Sequence, residues 1–237
     1  HHRSSAASDV YKRQIDRDVQ DQIAADSHTR AGAAISAGTL SEEIVPVLIP
    51  QRKGDPISFE IDEGVRSGTD AAGLAKLRPA FAESGNITAG NASQISDGGS
   101  AIVVVSRTFV ESHGVDPLAH LISYGQVAGP DTSLLTQPSR AINQSLDTAG
   151  MSLSDIDLFE INEAFAAVSA ASMKDLGLSN DIVNVNGGAI ALGHPIGMSG
   201  NRLALTLAYE LRRRGGGMGA AALCGGGGQG DALLIKV

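Results

Sequence analysis

Three glycine-rich junctions carry the residues best suited to chemistry, and each joins an apolar run to a polar side chain. The first is N-E-A-F-A-A at 162–167, where Asn162 sits at a passage from strand to helix. An asparagine there either caps the helix by accepting a backbone N–H or holds a water or a substrate oxygen. The second is N-V-N-G-G-A-I-A-L-G-H-P-I-G-M-S-G at 184–200. Pro195 biases His194 towards an extended backbone, and the flanking glycines permit close approach of other chain segments. A histidine held in such a rigid loop suits acid/base or oxyanion work. The third is C-G-G-G-G-Q-G at 224–230. Four glycines after Cys224 exceed what a hairpin turn needs and expose backbone N–H groups beside the thiol. That arrangement suits an oxyanion site, with the thiol as nucleophile or as acid/base; the alternative is a buried small residue before a turn. The glycine run lacks the following helix and downstream acid of a dinucleotide-binding turn. Neither the single cysteine nor the scattered histidines have metal-ligand spacing.

The elements that must position these groups alternate. Helices are expected at Ile15–Ala37, Pro138–Ala149, Asn162–Leu176 and Asn201–Arg214, the last with Leu203, Leu207 and Leu211 on one stripe. Strands are expected at Ile44–Ile49 (an edge strand, because of Pro46), Ala101–Val105, Leu118–Tyr124, Ile156–Ile161 and Ile182–Val185. A final antiparallel pair is expected at Ala220–Leu223 and Ala232–Val237. The pattern predicts an α/β layered fold with a mixed sheet flanked by helices. Gln51–Gly73 and Asn86–Gly99 read as polar, Gly-rich excursions of the kind that often bind ligands.

Composition narrows the function class. The 237 residues carry a net charge of −8, which argues against nucleic acid as the main partner. One cysteine rules out a disulfide framework within the chain and fits a reducing, cytoplasmic setting. No run of about 20 apolar residues exists, so no membrane span is expected. Residues 1–14 have no apolar periodicity, and Ser4–Gln14 read as the translation of a sequencing-library adapter. They are expected to be foreign, with the reading frame cut short upstream. Removing their net +2 leaves the remaining chain at −10.

The three junctions, in this order, resemble the thiolase family, within it the acetyl-CoA C-acetyltransferase group. R-K-G-D at 52–55, L-A-K-L-R-P-A-F at 74–81 and T-A-G-N-A-S at 88–93 also look like this family. The resemblance implies the C-terminal half of a thiolase-like fold from residue 97 to 237, preceded by part of a CoA-binding loop domain from 15 to 96. It implies reversible Claisen condensation and thiolysis of 3-oxoacyl-CoA by a ping-pong route, with coenzyme A as substrate and no permanently bound cofactor. Cys224 matches the acid/base cysteine. His194 matches the histidine that activates the nucleophile and lines an oxyanion hole. Asn162 matches the holder of the water completing that hole, and Gly226 the backbone N–H of a second one. Ser93, Ala89 and Gly90 match pantetheine contacts; Arg66, Thr69 and Leu77 fall near the nucleotide end of CoA; Ala164, Phe165 and Phe81 would line the acyl channel. The family's nucleophilic cysteine lies upstream of every residue present. The resemblance therefore implies a chain inactive and aggregation-prone alone, and a homodimer or homotetramer when full length. Alternatives are a ketoacyl synthase, which shares the fold but uses two histidines, and a non-catalytic CoA- or lipid-binding module.

Overall fold

The computed structural model describes Val10 and residues 14–237; the other residues of the foreign-looking segment lie outside the described part. Four strands form the main sheet. They are β3 (His120–Ala128), β4 (Leu158–Ile161), β5 (Met218–Gly225) and β6 (Gln229–Lys236), in the order β3-β6-β5-β4. β4 runs parallel to β5, while β5–β6 and β6–β3 are antiparallel, so the sheet is mixed. A separate ribbon pairs β1 (Val47–Ile49) with β2 (Ile57–Phe59).

Alternation along the strands feeds two apolar layers. Phe159, Ile161, Ala220, Ala222, Ala232 and Leu234 face one layer with helices α4 (Gln137–Ala149) and α5 (Ala166–Leu176). Leu158, Ala221 and Ile235 face the other, against α7 (Ser199–Arg213). The leucine stripe of α7 does what its spacing predicts: Leu203, Leu207 and Leu211 are each 1% exposed. Burial of each contributes roughly 1.5–3 kcal/mol. Arg202 of α7 donates to Glu160 of β4 at 3.0 Å, with both side chains largely enclosed.

Small residues permit the close layering that the composition suggests. A Cβ at Gly125 of β3 would lie 2.1 Å from the Ala141 carbonyl of α4, so only glycine lets helix and strand meet there. The long helix α1 (Arg17–Ser36) packs on α5 and on the short helices α2 (Ala71–Leu74) and α6 (Ala189–Leu192).

Four expectations change. Ala101–Val105 is not a strand; it lies unpaired before the short helix α3 (Arg107–His113), with Val103 86% and Val104 70% exposed. An apolar β-branched run has strand propensity but needs a partner edge, and among the described residues it pairs with none. Ile182–Val185 is reduced to a 3-10 turn, Asn180–Ile182, and one parallel bridge, Val183 to Phe159. The Asn184 side chain replaces the rest of that pairing, bonding both N–H and C=O of Ile161 at 2.8 Å. The strand expected at Leu118–Tyr124 runs instead from His120 to Ala128, continued by its pairing to β6. The helix expected from Asn162 begins only at Ala166, with Phe165 at its N-cap position, so Asn162 caps nothing.

Candidate active site

Asn162 and Cys224 stand at the same end of two parallel neighbours. β4 ends at Ile161, paired with Ala222, and the Asn162 N–H donates to the Ala222 carbonyl at 2.9 Å. Cys224 lies two residues further along β5, partly buried against the core. The carboxyl ends of parallel strands are the usual ligand-binding edge of α/β sheets.

His194 reaches the same place from a loop. Gly193 before it has φ +98°, and a Cβ there would lie 2.3 Å from Ser96 Oγ. The His194 N–H donates to the Gln94 carbonyl at 3.2 Å, and Gln94 Nε2 donates to the carbonyls of Gly64, Ile190 and Ala191 at 3.0–3.1 Å. Thus one glutamine stitches the T-A-G-N-A-S segment to the G-H-P loop. The imidazole is held on both sides: Nε2 lies 3.2 Å from Asn162 Nδ2, and Nδ1 lies 2.7 Å from Ser199 Oγ. Burial, reinforced by the Arg202 charge, lowers the His194 pKa, which favours a neutral ring able to accept a proton. Asn162 is fully buried, and its Oδ1 has no hydrogen-bond partner. An orphan acceptor at that depth is costly and marks a place where a polar group belongs.

Glu163 braces the loop from beneath. It accepts from Ser27 Oγ of α1 at 2.7 Å, from the Ile190 N–H at 3.1 Å and from Asn184 Nδ2 at 3.1 Å. Gly188 runs so close that a Cβ there would lie 2.3–2.6 Å from the carboxyl group. Burial pushes the Glu163 pKa up, against the pull of those hydrogen bonds.

Burial likewise pushes the Cys224 thiol up to about 11, so it is protonated at neutral pH. Gly226 lies exposed in the turn between β5 and β6. Its neighbours have structural reasons to be glycine: Gly227 and Gly228 have φ +85° and +81°, and Gly228 abuts the Asp131 carbonyl. Gly226 has neither constraint, since a Cβ there would meet nothing within 4 Å.

The residues matched to CoA and acyl contacts divide into two groups. Ala92 bridges to Phe165, and the Ser93 N–H donates to the Ala164 carbonyl at 3.1 Å. Phe81 meets Phe165 edge to face, with centroids 5.9 Å apart, and Gly90 packs on the Leu77 side chain. Ala89 is exposed beside them. These residues therefore adjoin the Asn162 segment. Arg66 and Thr69 belong to a separate exposed turn, closed by Thr69 donating to the Arg66 carbonyl and tied to α1 by the Arg66 N–H donating to His28 Nδ1. Gly193, Pro195, Met198 and Arg202 line a cleft of about 550 Å³ together with Glu43, Phe59 and Asp62. Among the described residues no cluster of three or more His, Cys, Asp or Glu could hold a metal ion, and no helix is long and apolar enough to cross a membrane.

Gln94, Glu163, Ser199 and Arg202 were not singled out from sequence. Glu163 and Ser199 lie inside the quoted motifs, at fixed offsets from Asn162 and His194. That proximity in the chain was the available signal.

The family described as the thiolase C-terminal domain matches residues 115–237, and the thiolase N-terminal domain matches residues 4–108. A probable acetyl-CoA acetyltransferase of Mycobacterium tuberculosis is 56% identical over 220 residues, covering 93% of this chain and 56% of that protein. The crystal structure of the Bacillus anthracis acetyl-CoA acetyltransferase superposes with a TM-score of 0.94 at 42% identity, covering 98% of this chain and 59% of that one. For human mitochondrial 3-ketoacyl-CoA thiolase the values are 0.89 and 39%, covering 98% and 58%. The chain thus spans less than two thirds of the length of these relatives.

Proposed function

The chain belongs to the thiolase family, and on that premise we propose that it supplies the acid/base half of an acetyl-CoA acetyltransferase. The reaction is reversible transfer of an acetyl group between coenzyme A thioesters. The observation that carries this reading is the convergence of Asn162 and His194 at 3.2 Å, at the strand edge where Cys224 also ends. Residues 97–237 act as the C-terminal thiolase domain and residues 15–96 as part of the loop domain that holds CoA.

Claisen chemistry creates a carbanion beside a thioester, so it needs a proton carrier at Cα and a hole for the enolate oxygen. Cys224 is the carrier: as a thiol it protonates the departing carbanion in thiolysis, and it takes the proton back in condensation. His194 Nε2 accepts the proton of the acyl-carrying nucleophile, and Asn162 with a bound water stabilises the oxyanion. The Gly226 N–H serves a second oxyanion hole. Ser93, Ala89 and Gly90 contact the pantetheine arm, and Arg66, Thr69 and Leu77 the nucleotide end. The acyl-carrying cysteine comes from polypeptide outside these 237 residues. Ile102, Val103, Val104 and the β3 residues Leu121 and Tyr124 are all exposed, and this polypeptide covers them. Alone, the chain is inactive and self-associates; complete, it forms a homo-oligomer.

The test is acetoacetyl-CoA thiolysis by the chain alone and by the chain fused behind the unmatched N-terminal part of the Mycobacterium tuberculosis relative. Activity is expected only in the fusion. Thiolysis by the chain alone would overturn the division of labour, and an inactive but folded fusion would overturn the reaction.

A further inference from the structure

The geometry points to Ser199 as the residue that sets the tautomer of His194, holding the proton on Nδ1 and leaving Nε2 as a bare base. Ser199 opens α7 and is 1% exposed. Its Oγ makes two contacts: it donates to the Pro195 carbonyl one turn earlier at 3.0 Å, and it lies 2.7 Å from His194 Nδ1. A serine hydroxyl can back-bond in this way to the carbonyl four residues earlier. A hydroxyl has one proton. With that proton on Pro195, the 2.7 Å contact must be bridged by a proton carried on Nδ1.

The other side of the ring agrees independently. Asn162 Nδ2 donates to Nε2 at 3.2 Å, which requires a lone pair on Nε2. A neutral imidazole has one donor and one acceptor nitrogen, and the two contacts assign the same nitrogen to each role. The Pro195 carbonyl also accepts the backbone N–H groups of Met198 and Ser199, at 2.9 and 3.0 Å, so the turn that presents Ser199 Oγ is fixed by its own backbone. Ser199 is thus a positioning residue: it acts through His194 and touches no reacting atom.

The consequence for catalysis rests on His194 being the base of the proposed reaction; the tautomer does not. A direct readout is long-range proton–nitrogen correlation on the dilute chain labelled with 15N-histidine, above the His194 pKa. The spectrum holds six histidines, and His194 is assigned by the signals missing in His194→Gln. The expected result is the Nδ1–H tautomer in the unaltered chain, retained in Ser199→Thr, and in Ser199→Ala a mixture in which Nε2–H appears, since the 3.2 Å Asn162 contact alone then favours Nδ1–H. An Nε2–H ring in the unaltered chain overturns the proposal without any variant, and so does an Nδ1–H ring that persists unmixed in Ser199→Ala. In the active fusion, Ser199→Ala is expected to lower kcat about tenfold with KM unchanged, and Ser199→Thr to restore it. If His194→Ala leaves thiolysis intact, the base role fails while the tautomer assignment stands.

Discussion

Asn162 and His194, thirty-two residues apart in sequence, meet at 3.2 Å through Nδ2 and Nε2, and the oxygen of that amide, Oδ1, faces no partner. A fully buried asparagine with one saturated and one unsaturated end is a poor structural element and a good holder of a substrate oxygen or water. Asn162→Ala is expected to lower kcat of the complete enzyme by 10- to 100-fold, in the range for one oxyanion-hole group. Its melting temperature should stay within a few degrees, because no backbone group depends on that side chain. Steady-state thiolysis and a thermal melt check both parts; full activity would remove Asn162 from the mechanism.

Gly226 separates folding from function in the turn that follows Cys224. An added methyl group there meets open space, so Gly226→Ala should fold with unchanged stability. Activity should fall, because the proposed oxyanion hole at the Gly226 N–H leaves that open space to the substrate. Gly228→Ala is the contrast: its Cβ would collide with the Asp131 carbonyl, and its φ is +81°. That variant should lose on the order of 1–3 kcal/mol of stability, read by denaturant unfolding.

Cys224 is the one cysteine of the chain, which makes its titration easy to read. Burial raises its thiol to about 11. The rate of alkylation by iodoacetamide should therefore climb about tenfold per pH unit through pH 9 and on towards 10, since only the thiolate reacts. A rise that bends over near pH 9 and levels off by about pH 10 would show an unshifted thiol.

The buried carboxylates make stability depend on pH. Burial raises Glu160 to about 8, despite the opposing Arg202 charge, with Glu43 and Glu163 adding to the rise. A carboxyl whose folded pKa lies above its unfolded value binds its proton more tightly when folded. The contribution is therefore full below the unfolded value of about 4.5 and is lost as pH rises through 8. Melting temperature should fall between pH 5 and pH 8, and Glu160→Gln should flatten that fall. An unchanged slope in the variant would place the dependence elsewhere.

How much of this was legible in the sequence depended on whether the information was local. The leucine stripe of α7, the mixed sheet and the glycine-turned hairpin of β5 and β6 follow from periodicity and turn residues, and the structure shows each. Ala101–Val105 was misread because strand formation needs a partner edge that the run itself does not encode. Ile182–Val185 was misread because Asn184 substitutes its side chain for backbone pairing, which hydropathy cannot register. The site was found through three motifs, yet Gln94 and Glu163 were missed. Their importance lies in distant carbonyls and hydroxyls, Gly64 and Ser27 among them, that only the fold brings near.

The central claim is that His194 and Cys224 move the protons of thioester exchange. Its most direct test is acetoacetyl-CoA thiolysis by the fusion carrying His194→Ala or Cys224→Ser, each verified as folded. Each substitution should lower kcat/KM by at least about 100-fold, the usual weight of a general acid/base group. Activity untouched by both would contradict the account.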